Sequence, residues 1–388
     1  MPPARAPLET QAGQPSWRLE NGSVSAFLTR RGGHLGPVVF HTPAGPIQPF
    51  SIAPWHDEEL APDTAPVLRG LRGDFFCLPF GGNETPWRGE RHPAHGETAG
   101  GAWRLLGLTH RDRAAELRAE LRPRARPGRV LKRLALRSGE TNVYCRHELH
   151  GFTGPMTLGH HAMLRFPDEY GPGRIALSPW RHGRVYPVPF ESPARGGYAA
   201  LRTDASFRSL RAVPLAAGGT TDVTTYPARE GFEDLLMVSA RPPRAGRPPV
   251  AWTTVTYPKR KFVWFALKDP RVLASTILWH SNGGRHYPPW NGRHRRVLGL
   301  EEVTSYFDRG LAASAAPNPL SRAGVPTVHR LRPTVPLWVN YIFGVAAVPA
   351  GFDVVRRVLP RGDHIVLCAR SGHRARHPVD LSFLAPPA

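Results

Sequence analysis

Four stretches of the chain concentrate side chains that can move a proton or hold a polyol. Residues 71–103, LRGDFFCLPFGGNETPWRGERHPAHGETAGGAW, gather Arg72, Asp74, Asn83, Glu84, Trp87, Glu90, His92, His95 and Glu97 in one irregular segment. Within it His95 stands directly before Gly96, and a glycine there lets the backbone turn close to a ligand. In LGHHAMLRFP, 158–167, His160 and His161 are neighbours on an expected strand. Their side chains therefore point to opposite faces, and at most one of them meets a given cleft. The segment WHSNGGRHYPPWNG, 279–292, sets Trp279, Arg285, His286, Tyr287 and Trp290 in a loop rich in glycine and proline. Aromatic rings beside hydrogen-bonding groups suit a sugar, whose C–H faces pack on a ring while its hydroxyls need in-plane partners. Finally, VLGLEEVTSYF, 297–307, runs as an apolar strand into Glu301-Glu302. A carboxylate at the mouth of a buried strand can have a raised pKa and serve as a general base. Each stretch also has a plain structural reading: a solvated crossover, a packed histidine, a loop filled by its own aromatics, or a helix-capping carboxylate.

The elements that must carry these groups are mostly strands. Proline (43) and glycine (39) make up about a fifth of the 388 residues, well above average usage, which works against long helices. Residues 17–41 contain two apolar runs, Val24 to Leu28 and Leu35 to Phe40, separated by Gly32-Gly33, and read as a hairpin. Residues 129–152 repeat the design around Ser138-Gly139-Glu140, with Val143, Cys145, His147 and Leu149 alternating against Tyr144, Arg146, Glu148 and His150. The chain closes on FDVVRRVLP, a turn at Arg361-Gly362-Asp363, HIVLCARSG and then VDLSFL, read as three further strands. RDRAAELRAEL, 111–121, alternates and is followed by Pro123, so a strand is expected there too. EEVTSYFDRGLAAS, 301–314, is the candidate short helix, with Gly310 near its end. Residues 242–249 and 315–326 are proline-rich loops, and neither separates regions of different composition. The expectation is an all-β chain, a large antiparallel β-sandwich with few short helices. It is read as a flexible tail over 1–14 and one domain over 15–388.

The order of the motifs resembles that of the galactose mutarotase-like family, the aldose 1-epimerases and their hexose-phosphate relatives. A histidine before glycine in an irregular loop is followed by a histidine on a strand and, late in the chain, by a glutamate in a GLE strand. The closing strands are similar to the end of that fold. The resemblance matches His95 in AHGE, His161 in HHAML and Glu301 in LGLE to the family's catalytic residues. It implies mutarotation: Glu301 takes the proton of the anomeric hydroxyl, His161 protonates the ring oxygen, and His95 positions the sugar or shares the acid role. Arg72 and Asp74 in LRGD, Arg285, His286 and Trp290 are the expected substrate-binding residues. The usual Asn-Arg-Ile context of the family's arginine is absent around Arg72, and no counterpart of its binding aspartate stands out. Such chemistry requires no cofactor and no metal. A noncatalytic carbohydrate-binding or regulatory module would use the same cleft.

Charge and cysteine content narrow the remaining classes. The net charge of +21 comes almost wholly from arginine scattered along the chain, without a basic run interleaved with aromatics, so no nucleic-acid partner is expected. A basic surface still favours anions, which keeps a sugar phosphate open beside a free monosaccharide. Cys77, Cys145 and Cys368 show no CxxC spacing and are odd in number, against a disulfide framework or a zinc ribbon. Despite 18 histidines, no H-x-H with a nearby carboxylate and a distant third histidine marks a cupin-like metal site. The first residues lack a hydrophobic signal core and no apolar run nears 18 residues, so a cytoplasmic location and no membrane partner are expected.

Overall fold

Period-two apolar patterning builds two large antiparallel sheets in the computed structural model, which describes residues 6–111, 114–243 and 249–387. One sheet has nine strands, with Phe262–Lys268, Leu337–Ala347, Asn142–His150 and Arg129–Leu136 adjacent at its centre. The other has seven, ordered Ser206–Phe207, Trp180–Val185, Glu233–Ala240, Ser275–Ser281, Val297–Thr304, Leu158–Arg165 and Phe76–Cys77. Leu134, Val143 and Phe343 from the first meet Ala162, Leu278 and Leu300 from the second in one apolar core. The chain is an all-β antiparallel sandwich, as the hairpin patterning predicts.

Alternation decides which residues leave that core. On the seven-stranded sheet Leu236, Leu278, Leu298 and Leu300 face the other sheet, while Leu235, Met237, Ile277, Trp279 and Val303 belong to a second apolar cluster on the opposite face. That outer face is roofed by the irregular segment after Phe50, including Trp55, Val67, Leu71 and Phe80, and by Trp290. A third cluster joins the far face of the nine-stranded sheet, through Tyr144, Phe265 and Ile342, to Val358, Ile365 and Leu367 of the C-terminal strands.

The hairpin of 17–41 forms from Val24–Thr29 and Leu35–Thr42, and that of 129–152 from Arg129–Leu136 and Asn142–His150. The strand expected over 111–121 is present as Ala114–Leu121, with residues 112 and 113 outside the described residues. The helix expected over 301–314 is corrected. Residues 301–304 continue the strand Val297–Thr304, whose two edges are both paired, and the helix is confined to Gly310–Ala315. Satisfying both backbone ladders of a central strand outweighs the modest helix propensity of Glu301 and Glu302. The third closing strand is likewise Arg374–Pro378, not VDLSFL. Leu381–Leu384 forms a 3-10 turn whose N-cap, Asp380, accepts from the Ser382 amide, and Phe383 and Leu384 are buried. Of the segment read as a tail, residues 1–5 lie outside the described residues, while Glu9–Gln11 pairs with Gln14–Glu20. Of the loop 242–249, residues 244–248 lie outside them as well.

Candidate active site

Strand register brings the first two groups together. Leu158–Arg165 and Val297–Thr304 pair so that His161 lies opposite Glu301 and His160 opposite Glu302. Because neighbours on a strand face opposite ways, His161 and Glu301 share the outer face and His160 and Glu302 share the inter-sheet face. His161 Nε2 stands 3.5 Å from Glu301 Oε1. Phe75 stacks on His161 at 4.6 Å between centroids and on His34 at 4.2 Å, which fixes the plane of the His161 ring.

His95 reaches the same place from the loop. Its amide donates to the Gly81 carbonyl at 2.7 Å, and that of Gly96 to the Pro93 carbonyl at 2.9 Å. His95 has φ 58° and Gly96 φ 74°, and a Cβ on Gly96 would lie 2.0 Å from the Leu78 carbonyl oxygen. The glycine is thus a steric requirement, and His95 itself is held in a conformation that a non-glycine residue adopts at a cost. Its ring meets His161 edge-on at 5.2 Å, and its Nδ1 is 3.4 Å from Cys77 Sγ.

These three residues line one cavity of about 190 Å³, together with Phe75, Phe190, Leu235, Trp279, Arg285, Trp290 and Asp308. Its volume lies below the roughly 300–1,000 Å³ of drug-sized sites, so it suits a small ligand. Burial pushes Glu301 well above the carboxylate range and the charge of Asp308 adds to this, while Arg285 opposes it. Burial lowers His161 well below its ordinary value, with His95 next in effect, and burial followed by Arg285 lowers His95 to about 4. Glu301 Oε2, His161 Nδ1 and Asp308 Oδ1 are buried without a hydrogen-bond partner. Groups left in that state in a concave site are free to bind a polar ligand. A carboxyl and two imidazoles lining one cavity are groups able to take and to give a proton at a bound ligand.

Arg285 is the cation among the cavity's lining residues, and its charge is already answered. Its Nε donates to Glu191 Oε1 at 2.6 Å, and its guanidinium lies 4.6 Å from the Trp290 ring centroid and 5.4 Å from that of Trp279. Although burial works to lower it, Glu233 and Glu191 hold Arg285 above its ordinary value. Glu233 is fully buried and is raised to about 7 by burial against the pull of Arg285, accepting from Trp279 Nε1 and Ser281 Oγ, each at 2.9 Å. A wider surface groove of about 650 Å³ holds a single carboxylate, Glu97, which already accepts from the amides of Arg124 and Ala125.

No family model and no curated protein matches the chain. Solved structures do. A protein of Escherichia coli K12 provisionally assigned as an aldose 1-epimerase superposes with a TM-score of 0.55 at 14% identity, over 87% of this chain and 100% of that one. A galactose mutarotase-like protein of Clostridium acetobutylicum gives 0.53 at 12% identity, over 88% and 98%. A galactose mutarotase related enzyme of Lactobacillus acidophilus gives 0.52 at 12%, over 86% and 97%. The chain has the galactose mutarotase-like fold.

Within this mutarotase-like sandwich the substrate-binding expectations divide. Arg285 and Trp290 line the cavity. Arg72 does not: it is fully buried and donates to the carbonyls of Gln11, Ala12 and Gly70, tying the N-terminal strands to the loop. Asp74 does not either, because its side chain points to the inter-sheet core and accepts from His160 Nδ1 at 2.8 Å. His286 is exposed, with its ring edge-on to Tyr198. Arg72, Asp74 and His286 all lie outside the strands, Asp74 in an isolated bridge to Leu35 just after Gly73 at φ 58°, so no periodicity could orient them beforehand. Phe75, Trp279, Leu235, Glu191, Glu233 and Asp308 were not singled out as site residues. Trp279 stood inside an aromatic-rich stretch, and Asp308 lies seven residues beyond Glu301, so only those two carried a signal.

Proposed function

We propose that this protein interconverts the anomers of a free, uncharged aldose by acid–base ring opening. The observation that carries the reading is the convergence of Glu301, His161 and His95 in one small cavity walled by Trp279, Trp290 and Phe75. Glu301 removes the proton of the anomeric hydroxyl. The protonated form of His161 gives its proton to the ring oxygen as the C1–O5 bond breaks and is neutral until the reverse step returns that proton, and His95 holds the sugar from the other side. Rotation about C1–C2 turns the carbonyl, and the reverse transfers close the ring on its other face, so the protons balance and no external reagent is consumed. Placed acid and base groups each contribute on the order of 100- to 10,000-fold, ample for a reaction that already proceeds in water.

The substrate is a free sugar and not a sugar phosphate because the cavity has no spare positive charge. Arg285 is paired with Glu191, and the carboxyls of Glu301 and Asp308 offer a phosphate no compensating positive charge. Polarimetry of freshly dissolved α-anomers tests this. Acceleration for a neutral hexose or pentose, with loss in Glu301→Gln, is expected, whereas the 6-phosphates should decay at the uncatalysed rate. A sugar that binds by calorimetry yet shows no faster exchange would convert the assignment to a noncatalytic carbohydrate-binding module.

A further inference from the structure

We propose that the inter-sheet core behind the catalytic strand contains a binding site for one monovalent soft metal ion of the copper(I) class, held by Cys145, His147 and His160. Among the described residues these three place one ligand atom each within 4.8 Å of one another, and all are buried. The site is separate from the anomeric chemistry: His160 lies on the face of Leu158–Arg165 opposite to His161, and Cys145 and His147 come from Asn142–His150 in the other sheet.

Three observations mark the cluster as built for a ligand. First, His160 Nε2 and His147 Nε2 are both buried without a hydrogen-bond partner, although orphaned polar atoms in a core are costly and uncommon. Second, Asp74 accepts from His160 Nδ1 at 2.8 Å, the carboxylate–histidine arrangement that leaves the other ring nitrogen as a lone-pair donor and fixes its direction. Third, Tyr341 stacks on His160 at 4.2 Å, so the ring is held from its face as well. Cys145 Sγ is 4.0 Å from His147 Nδ1. Metal bonds of ~2.3 Å to sulfur and ~2.0 Å to nitrogen in trigonal geometry separate ligand atoms by about 3.5–3.8 Å, so a contraction of about 1.3 Å or less closes the set.

Charge selects the ion. Lys132 lies opposite His147 in the strand register and donates its Nζ to the Gly33 carbonyl at 2.8 Å, and Asp74 is the carboxylate bonded to His160. A monovalent cation bound to the Cys145 thiolate, with one proton released to solvent, adds no net charge to this dry region. A divalent ion would leave an unbalanced positive charge, which a buried site tolerates poorly. Thiolate and imidazole ligands without an oxygen donor also favour a soft ion over magnesium or calcium.

The test uses the full-length protein titrated anaerobically with Cu(I) against the chelator bicinchoninate, followed by X-ray absorption. One Cu(I) per chain with one sulfur and two nitrogen neighbours is expected, together with a melting temperature a few degrees higher. Cys145→Ser should weaken retention at least tenfold and Asp74→Asn by roughly 10- to 100-fold, while Cys77→Ser and Cys368→Ser retain the metal. Absence of bound Cu(I), equal retention by Cys145→Ser, or Zn(II) held as tightly as Cu(I) would each overturn the proposal. If Cys145→Ser does not fold, the sulfur and nitrogen count of the wild-type absorption spectrum decides.

Discussion

At the scale of single residues, Glu301, the proposed base, carries a stability cost that can be tested beside its chemistry. If it is the base, its ionised form is the active one, so kcat/KM should rise with pH along a limb displaced above the ordinary carboxylate range. Glu301→Gln should lower kcat by about 100- to 10,000-fold and abolish that limb. The stability consequence has the opposite sense. A carboxyl whose folded pKa is raised binds its proton more tightly in the folded state, so stability falls as pH climbs from about 4.5, the unfolded value, through the folded one. Glu301→Gln should therefore melt higher than wild type at pH 8 and show no such advantage at pH 4. Calorimetry at the two pH values checks this, and an equal difference at both would remove burial as the cause.

At the scale of elements, the loop bearing His95 is as exacting as the strands. Gly96 adopts positive φ with the Leu78 carbonyl where a Cβ would sit, so Gly96→Ala must displace either the loop or the strand edge. Backbone strain of this kind costs about 1–3 kcal/mol, which urea unfolding would report. Because His95 is the adjacent residue, the same variant should lower kcat/KM more than ordinary destabilisation explains at a temperature where it remains folded. A quieter element is Gly299, opposite Trp279 in the strand register. A Cβ there would come within 2.9 Å of the indole. Gly299→Ala should push Trp279 into the cavity and raise KM for sugar more than it changes kcat.

At the scale of the whole molecule, the net charge of +21 and the chemistry of the cavity are decoupled. Surface arginines create a long-range field that salt screens within about 10 Å at 0.1 M. The cavity instead balances Arg285 against Glu191 locally. Turnover of a neutral sugar should therefore change less than about twofold between 50 and 500 mM salt. A steep fall over that range would show that the substrate is anionic and drawn by the field. No helix among the described residues is long and apolar enough to cross a membrane.

Much of this was legible from residue types alone, for identifiable reasons. Alternation has a period of two, so the hairpins at 17–41 and 129–152 could be read directly, and His160 and His161 could be assigned to opposite faces before either face was known. The local backbone demand of a histidine before glycine was likewise visible, although the Leu78 carbonyl that enforces it was not. Tertiary structure decided everything that depends on long-range pairing. It set His161 opposite Glu301, extended the Glu301 strand where a helix was expected, and turned Asp74 inward to His160. It withdrew Arg72 into backbone carbonyls and left His286 at the surface. A sequence specifies which side chains can ionise and which way each strand alternates. Which of them lose water, and which partners they meet there, is determined only when the sheets register and pack, because desolvation and partner distance are properties of the folded assembly and not of any residue in it.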